Sequence, residues 1–176
     1  MRFDTGLHLP APDPQLDQRK GLLAELGLDK LTPDEQFDTF ATELAHLFRL
    51  PYAMVNLITT EQTFVGLHTP SGQGLPAVGR TMPRDHGYCP EVLERGRALI
   101  LPDVYASPRF AGNAVVDQLG IRTYAGAPLI HQGVVLGTVC VVGTAPRRRE
   151  TGQESLARIN AQRDRFMELL RQRTRR

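Results

Sequence analysis

The chain has 176 residues, 41% hydrophobic and 23% charged, with a formal net charge of +2, which fits one ordinary globular domain with a core of its own. No apolar run reaches the roughly 18–20 residues of a membrane span, Met1-Arg2-Phe3-Asp4 does not open a signal peptide, and two cysteines, Cys89 and Cys140, cannot build a disulfide framework, so a cytoplasmic domain is expected. Residues 147–176 hold ten arginines against four acids; this reads as a solvated helix face, and nucleic acid is not an expected partner.

Residues 1–14, with Pro10, Pro12 and Pro14 and no apolar period, read as an irregular arm before a single domain over 15–171 and a basic tail over 172–176. Leu16, Leu22, Leu23 and Leu26 predict a helix over 15–28. Thr32-Pro33-Asp34-Glu35 predicts a helix start, with Thr32 as cap and Glu35 completing a capping box. Phe37, Phe40, Ala41, Leu44, Leu47 and Phe48 then form an apolar stripe that ends before Pro51. Strands are predicted over 52–59 and 63–68, turning at Glu61-Gln62. Residues 69–85, rich in Pro and Gly, predict a long loop of the kind that often acts as a lid. A short helix over 90–95, with Cys89 as its N-cap, a strand over 98–101 and a helical piece near 113–119 follow. Strands over 122–130 and 134–142 form a second hairpin through His131-Gln132-Gly133. A final helix over 152–171 carries Leu156, Ile159, Phe166 and Leu170 on one stripe, interrupted by Arg163. The pattern predicts an α+β fold: an antiparallel sheet, terminal helices on one face, and a ligand cavity between the other face and the loops.

Several stretches, taken in order, resemble one family. Phe37-Asp38-Thr39-Phe40 leads through Leu50-Pro51 into Met54-Val55-Asn56-Leu57-Ile58. A middle loop carries Leu101-Pro102-Asp103-Val104, then Ser107-Pro108-Arg109-Phe110-Ala111 and Asn113. Tyr124-Ala125-Gly126-Ala127-Pro128-Leu129 and Leu136-Gly137-Thr138-Val139-Cys140-Val141-Val142 close the series. Together they resemble the GAF domain. The resemblance implies a six-stranded antiparallel sheet with terminal helices on its back and a small-molecule ligand on its front. It also implies a regulatory role in signal transduction through a partner protein, and pairing of the terminal helices in a homodimer. The spacing Leu156, Ile159, Arg163, Phe166, Leu170 approximates the repeat such a contact needs.

The ligand-binding residues expected from these segments are Phe64, His86, Tyr88, Cys89, Asp103, Phe110 and Tyr124. Cys89 at a helix start, near His86, has the surroundings that lower a thiol pKa, and the amides there could hold an anionic group. The competing reading is a small capping residue packed under the loop. A nucleophilic set of Cys89 and His86 with Asp85 or Asp103 can be composed on paper. One enzyme class of the family, the free methionine-R-sulfoxide reductases, uses pocket cysteines and resolves them with a second accessible cysteine. Cys140, inside an uninterrupted apolar run, is expected in the core, a departure from that class, so no catalytic residue is assigned. Bilin-binding relatives attach the pigment to a cysteine commonly followed by histidine, whereas Pro90 follows Cys89. His8, His46, His68, His86 and His131 are scattered, so no metal, haem or bilin is assigned. A redox role for Cys89 and a scaffold role for the arginine-rich end are the alternatives to a binding module.

Overall fold

The computed structural model describes residues 12–30, 33–71 and 74–175. Helices α1 (Leu16–Glu25) and α2 (Glu35–Phe48) lead into a hairpin of β1 (Tyr52–Ile58) and β2 (Glu61–His68). A short strand β3 (Thr81–Pro83), helix α3 (Cys89–Arg95), strand β4 (Leu99–Leu101) and two small helices, α4 (Pro108–Ala111) and α5 (Ala114–Leu119), fill the middle of the chain. A second hairpin, β5 (Thr123–His131) and β6 (Val134–Gly143), precedes the long α6 (Gly152–Thr174). The strands lie in the order β3-β2-β1-β6-β5-β4, with every pairing antiparallel. This is the six-stranded α+β architecture that the sequence implied.

The two long hairpins meet at the centre, where β1 pairs with β6, and all seven residues of β1 and all ten of β6 are buried. A strand covered on both faces reads as a continuous apolar run rather than an alternating one. Gly137 is required at this seam: a Cβ there would sit 1.8 Å from the Asn56 carbonyl oxygen. The back of the sheet carries α1, α2 and α6. Phe166 of α6 stands edge-on between Phe37 and Phe40 of α2, at 5.0 and 5.1 Å between centroids. Ala53, Val55 and Leu57 of β1 and Val139 and Val141 of β6 pack into this layer. The front carries a second apolar cluster from the opposite parity, including Tyr52, Met54, Cys140 and Val142, covered by α3 and α5.

Several local expectations change. The cap of α2 is Asp34, which accepts from the Phe37 N–H at 3.1 Å; Thr32 lies outside the described residues, as does most of the arm. Gln62 is a buried strand residue rather than part of a turn, because its amide is fully satisfied inside the fold. The loop over 69–85 contains β3, a three-residue strand too short to give a period. Helix α3 begins at Cys89 with Tyr88 as N-cap, so Cys89 is the first helical residue and not the cap. In α6 the buried face is Ser155, Ile159, Phe166, Met167 and Leu170, while Leu156 is exposed. The stripe expected to meet a second chain is therefore spent mostly on this chain's own sheet. Arg163 donates to the Pro128 carbonyl of β5 at 3.2 Å, and α6 runs past Arg171 to Thr174.

Arg19 of α1 is 98% buried, a placement no apolar pattern announces. Its Nε donates to the Val135 carbonyl and its Nη1 to Asp13, both at 2.6 Å. Arg84 donates to the same carboxylate at 3.3 Å and to the Thr59 carbonyl at 3.1 Å. Through these two arginines Asp13 fastens the start of the described chain to the start of β6, to the β1–β2 turn and to the turn after β3.

Candidate functional site

The front layer closes over Cys89. Asn56 on β1 donates to the Gln62 side-chain oxygen at 2.8 Å, and the Gln62 amide donates onward to the Pro83 and His86 carbonyls at 2.8 and 2.6 Å. These bonds clamp the turn after β3 onto the sheet. Gly87 and Asn113 exchange two bonds: the Gly87 N–H donates to Asn113 Oδ1 at 2.9 Å, and Asn113 Nδ2 donates to the Gly87 carbonyl at 2.8 Å. Asn113 also caps α5 by accepting from Val115. The Tyr88 hydroxyl donates to the Phe110 carbonyl at 2.7 Å, and its ring meets Phe110 and Tyr124 edge-on. Burial, with a smaller push from Tyr105, raises the Tyr88 phenol to about 12.

Beneath these clamps lies a hollow of about 40 Å³, walled by Met54, Phe64, Tyr88, Cys89, Val115 and Tyr124, with Gln62, Leu119 and Cys140 among the further lining residues. That volume admits water-sized molecules. The cavity expected on this front is therefore small, and a nucleotide or tetrapyrrole does not fit it as it stands. Among the described residues no lysine, arginine or histidine lines it.

Cys89 Sγ is surrounded by polar atoms in this apolar wall. Thr138 Oγ1 donates to it at 3.0 Å, Tyr124 Oη lies at 3.3 Å, and Cys140 Sγ lies at 3.5 Å. Cys140 in turn rests on Met54 Sδ at 3.7 Å. Hydrogen bonds with Cys140, Thr138 and Tyr124 outweigh burial and hold the Cys89 thiol below its ordinary pKa. Cys140 moves the other way, because its bond to Cys89, burial and the neighbouring negative charge all favour its protonated form. Burial, then charge at Cys89, keeps the Tyr124 phenol protonated far above neutrality. The result is two thiols side by side, with the Thr138 hydroxyl donating to Cys89 and the Tyr124 hydroxyl beside it.

Of the seven residues expected at the ligand, the structure brings Phe64, Tyr88, Cys89 and Tyr124 together at the hollow. The other three lie elsewhere. His86 supplies its carbonyl to Gln62 while its ring faces Asp85 at 3.9 Å. Asp103 caps the 3-10 turn at Val104–Ala106 and pairs with Arg122 at 3.2 Å. Phe110 supports Tyr88 from behind. The nucleophilic set with Asp103 is therefore not assembled. The amides expected to hold an anion are partly committed, the Gly87 N–H to Asn113 and the Glu91 N–H to the Tyr88 carbonyl. Residues the sequence did not single out are Gln62, Asn56, Thr138 and, above all, Cys140. Asn56 and Thr138 did carry a signal, a polar residue inside the apolar runs of β1 and β6, whereas Gln62, between Glu61 and Thr63, carried none. Among the described residues, no group of three potential metal ligands comes together.

An antiparallel sheet with helices behind it and a small walled hollow in front defines the α+β class of fold to which this chain belongs. The profile of the GAF domain matches residues 32–162, and the chain belongs to that family. No curated protein matches. Among solved structures, the chain is similar to a free methionine-R-sulfoxide reductase from Neisseria meningitidis in complex with its substrate (18% identity, 94% of this chain and 97% of that one, TM-score 0.55). It is similar to the GAF domain of an Acinetobacter phosphoenolpyruvate-protein phosphotransferase (14%, 92% and 96%, 0.54). A far-red cyanobacteriochrome photoreceptor also shares the fold (14%, 90% and 98%, 0.61).

Proposed function

We propose that this chain is a small-molecule-binding regulatory module that works in the cytoplasm through a partner protein, and that it does so by binding rather than by catalysis. The observation that carries this reading is the hollow between the sheet front and α3 and α5, with Tyr88, Cys89 and Tyr124 in its wall. Apolar walls, no cation and a few polar groups suit a small neutral molecule with one hydrogen-bonding group. At about 40 Å³ the hollow takes a larger ligand only as the segment over 81–88 swings outward. The Gln62 clamp and the Gly87–Asn113 pair are the bonds that such a ligand would trade for its own. A signal requires different affinities for the clamped and lifted states.

Output would pass to a partner protein or a second copy on the outer side of α6, where Leu156 stands exposed. Because Ile159, Phe166 and Leu170 serve the internal core, such a contact has to use the other side of that helix. A thermal-shift screen of neutral metabolites, with anions as a second panel, tests the reading. A ligand at one hundred times its Kd stabilises the native state by about 2.7 kcal/mol, which corresponds to a rise of roughly 5–10 °C for a chain of this size. A purified protein that carries no ligand and responds to neither panel would refute it.

A further inference from the structure

We propose that Cys89 and Cys140 form a reversible dithiol–disulfide site inside the front core, oxidised by a hydroperoxide. The two sulfurs lie 3.5 Å apart although the residues are 51 positions apart in the chain, and both are buried. Both line the same hollow, whose about 40 Å³ is on the scale that admits a molecule little larger than water. Two thiols in a purely structural core need no hydroxyl donors. Here Thr138 donates to Cys89 at 3.0 Å and the Tyr124 hydroxyl lies 3.3 Å from it, while Cys140 donates to the Met54 thioether at 3.7 Å. That asymmetry assigns the roles.

In the first step the Cys89 thiolate attacks the terminal oxygen of the peroxide. The S–O bond forms, the O–O bond breaks, and the departing alkoxide or hydroxide leaves as alcohol or water with the proton Cys89 had released. Cys89 is then a sulfenic acid and carries no negative charge. That charge, one of the influences that kept the Cys140 thiol protonated beside its bond to Cys89 and burial, has gone. In the second step Cys140 sulfur attacks Cys89 sulfur, the S–O bond breaks, and hydroxide leaves with the Cys140 proton as water. Two thiols and one hydroperoxide become one disulfide, one alcohol and one water.

Closing 3.5 Å to the roughly 2.05 Å of a disulfide needs a movement of about 1.5 Å. Helix α3 is jointed for it: Gly87 and Gly96, on either side, have φ of 74° and 64°, conformations that glycine adopts at no steric cost. The shift would draw α3 onto β6 and strain the Gly87–Asn113 pair, so oxidation state would be read by the same clamp that closes the hollow.

The experiment uses the reduced full chain treated with one equivalent of hydrogen peroxide. Expected are a loss of two hydrogens in the intact mass, a tryptic pair cross-linked through Cys89 and Cys140, and reversal by dithiothreitol. At a fixed peroxide concentration, diluting the protein should leave the rate per molecule unchanged. Cys140→Ser should halt at a sulfenic acid that dimedone traps, and Cys89→Ser should not react. Wild-type protein that keeps both thiols, or that goes to sulfinic acid or intermolecular dimers instead, would overturn the proposal whether or not the variants fold. The dithiol needs no bound metabolite. A chain that forms this bond yet answers neither thermal panel would lose the binding role and keep the redox site.

Discussion

Cys89 owes its chemistry to its neighbours rather than to its position in the sequence. The thiol is held below an ordinary pKa by hydrogen bonds with Cys140, Thr138 and Tyr124, so thiolate predominates from a lower pH than usual. Alkylation rate against pH should accordingly show a midpoint below the ~8.5 of a free cysteine, and Tyr124→Phe, which removes one donor, should move it upward. A wild-type midpoint at the ordinary value would show that the donors do not reach the sulfur. Asp38 makes a second residue-scale case. Its carboxylate accepts twice from Arg80 at 2.8 Å and once from the Leu67 N–H at 2.9 Å, and the Arg80 bond is the main cause of its lowered pKa. A depressed carboxylate contributes stability above its unfolded value, near pH 4, and loses it as pH falls through the folded value. Denaturant midpoints should hold from neutrality to about pH 4 and then drop. Asp38→Asn should flatten that drop and cost on the order of 1 kcal/mol at pH 7, since the pair is partly exposed.

Element formation shows where sequence reading succeeds. The hairpins over 52–68 and 123–143 were legible because long apolar runs end in turn residues, and Gln132 and Gly133 do adopt the positive φ values, 51° and 76°, that such a turn needs. The stripe on α2 was equally plain. Arg19 was not, because a charged residue on a helix is read as solvent-facing until the carbonyl of Val135 and the carboxylate of Asp13 are seen around it. Strand β3 escaped because three residues between prolines and glycines carry no period, and its place is fixed by pairing with β2. Packing between elements yields a direct prediction. Phe166→Ala empties the space between Phe37 and Phe40 and should cost about 3–5 kcal/mol in chemical denaturation. Gly66→Ala should also destabilise, by about 1–3 kcal/mol, since its Cβ would lie 2.6 Å from the Phe37 carbonyl oxygen and push α2 off β2. A neutral result for either would mean that α2 and the helix behind it are held less tightly to the sheet than their contacts imply.

At the scale of the whole molecule, the division of labour between the two faces of the sheet was visible in advance, while the shape of the front was not. Four of the seven anticipated ligand residues converge because their segments border the hollow. His86 and Asp103 were chosen for chemical type and are used for local structure instead. Cys140 was passed over because its partner lies 51 residues away, a relation that no local pattern expresses. The front layer is therefore a second core with a small void, held shut by Gln62 and Asn113, and its role as a binding site depends on a ligand occupying that void. The most direct measurement compares ligand-induced thermal shifts in wild-type protein and in Leu119→Phe, which places added bulk in the wall of the hollow. A ligand that raises the wild-type Tm should lose its effect in a variant that remains folded by circular dichroism; an undiminished shift in the filled variant would place binding elsewhere and contradict the account.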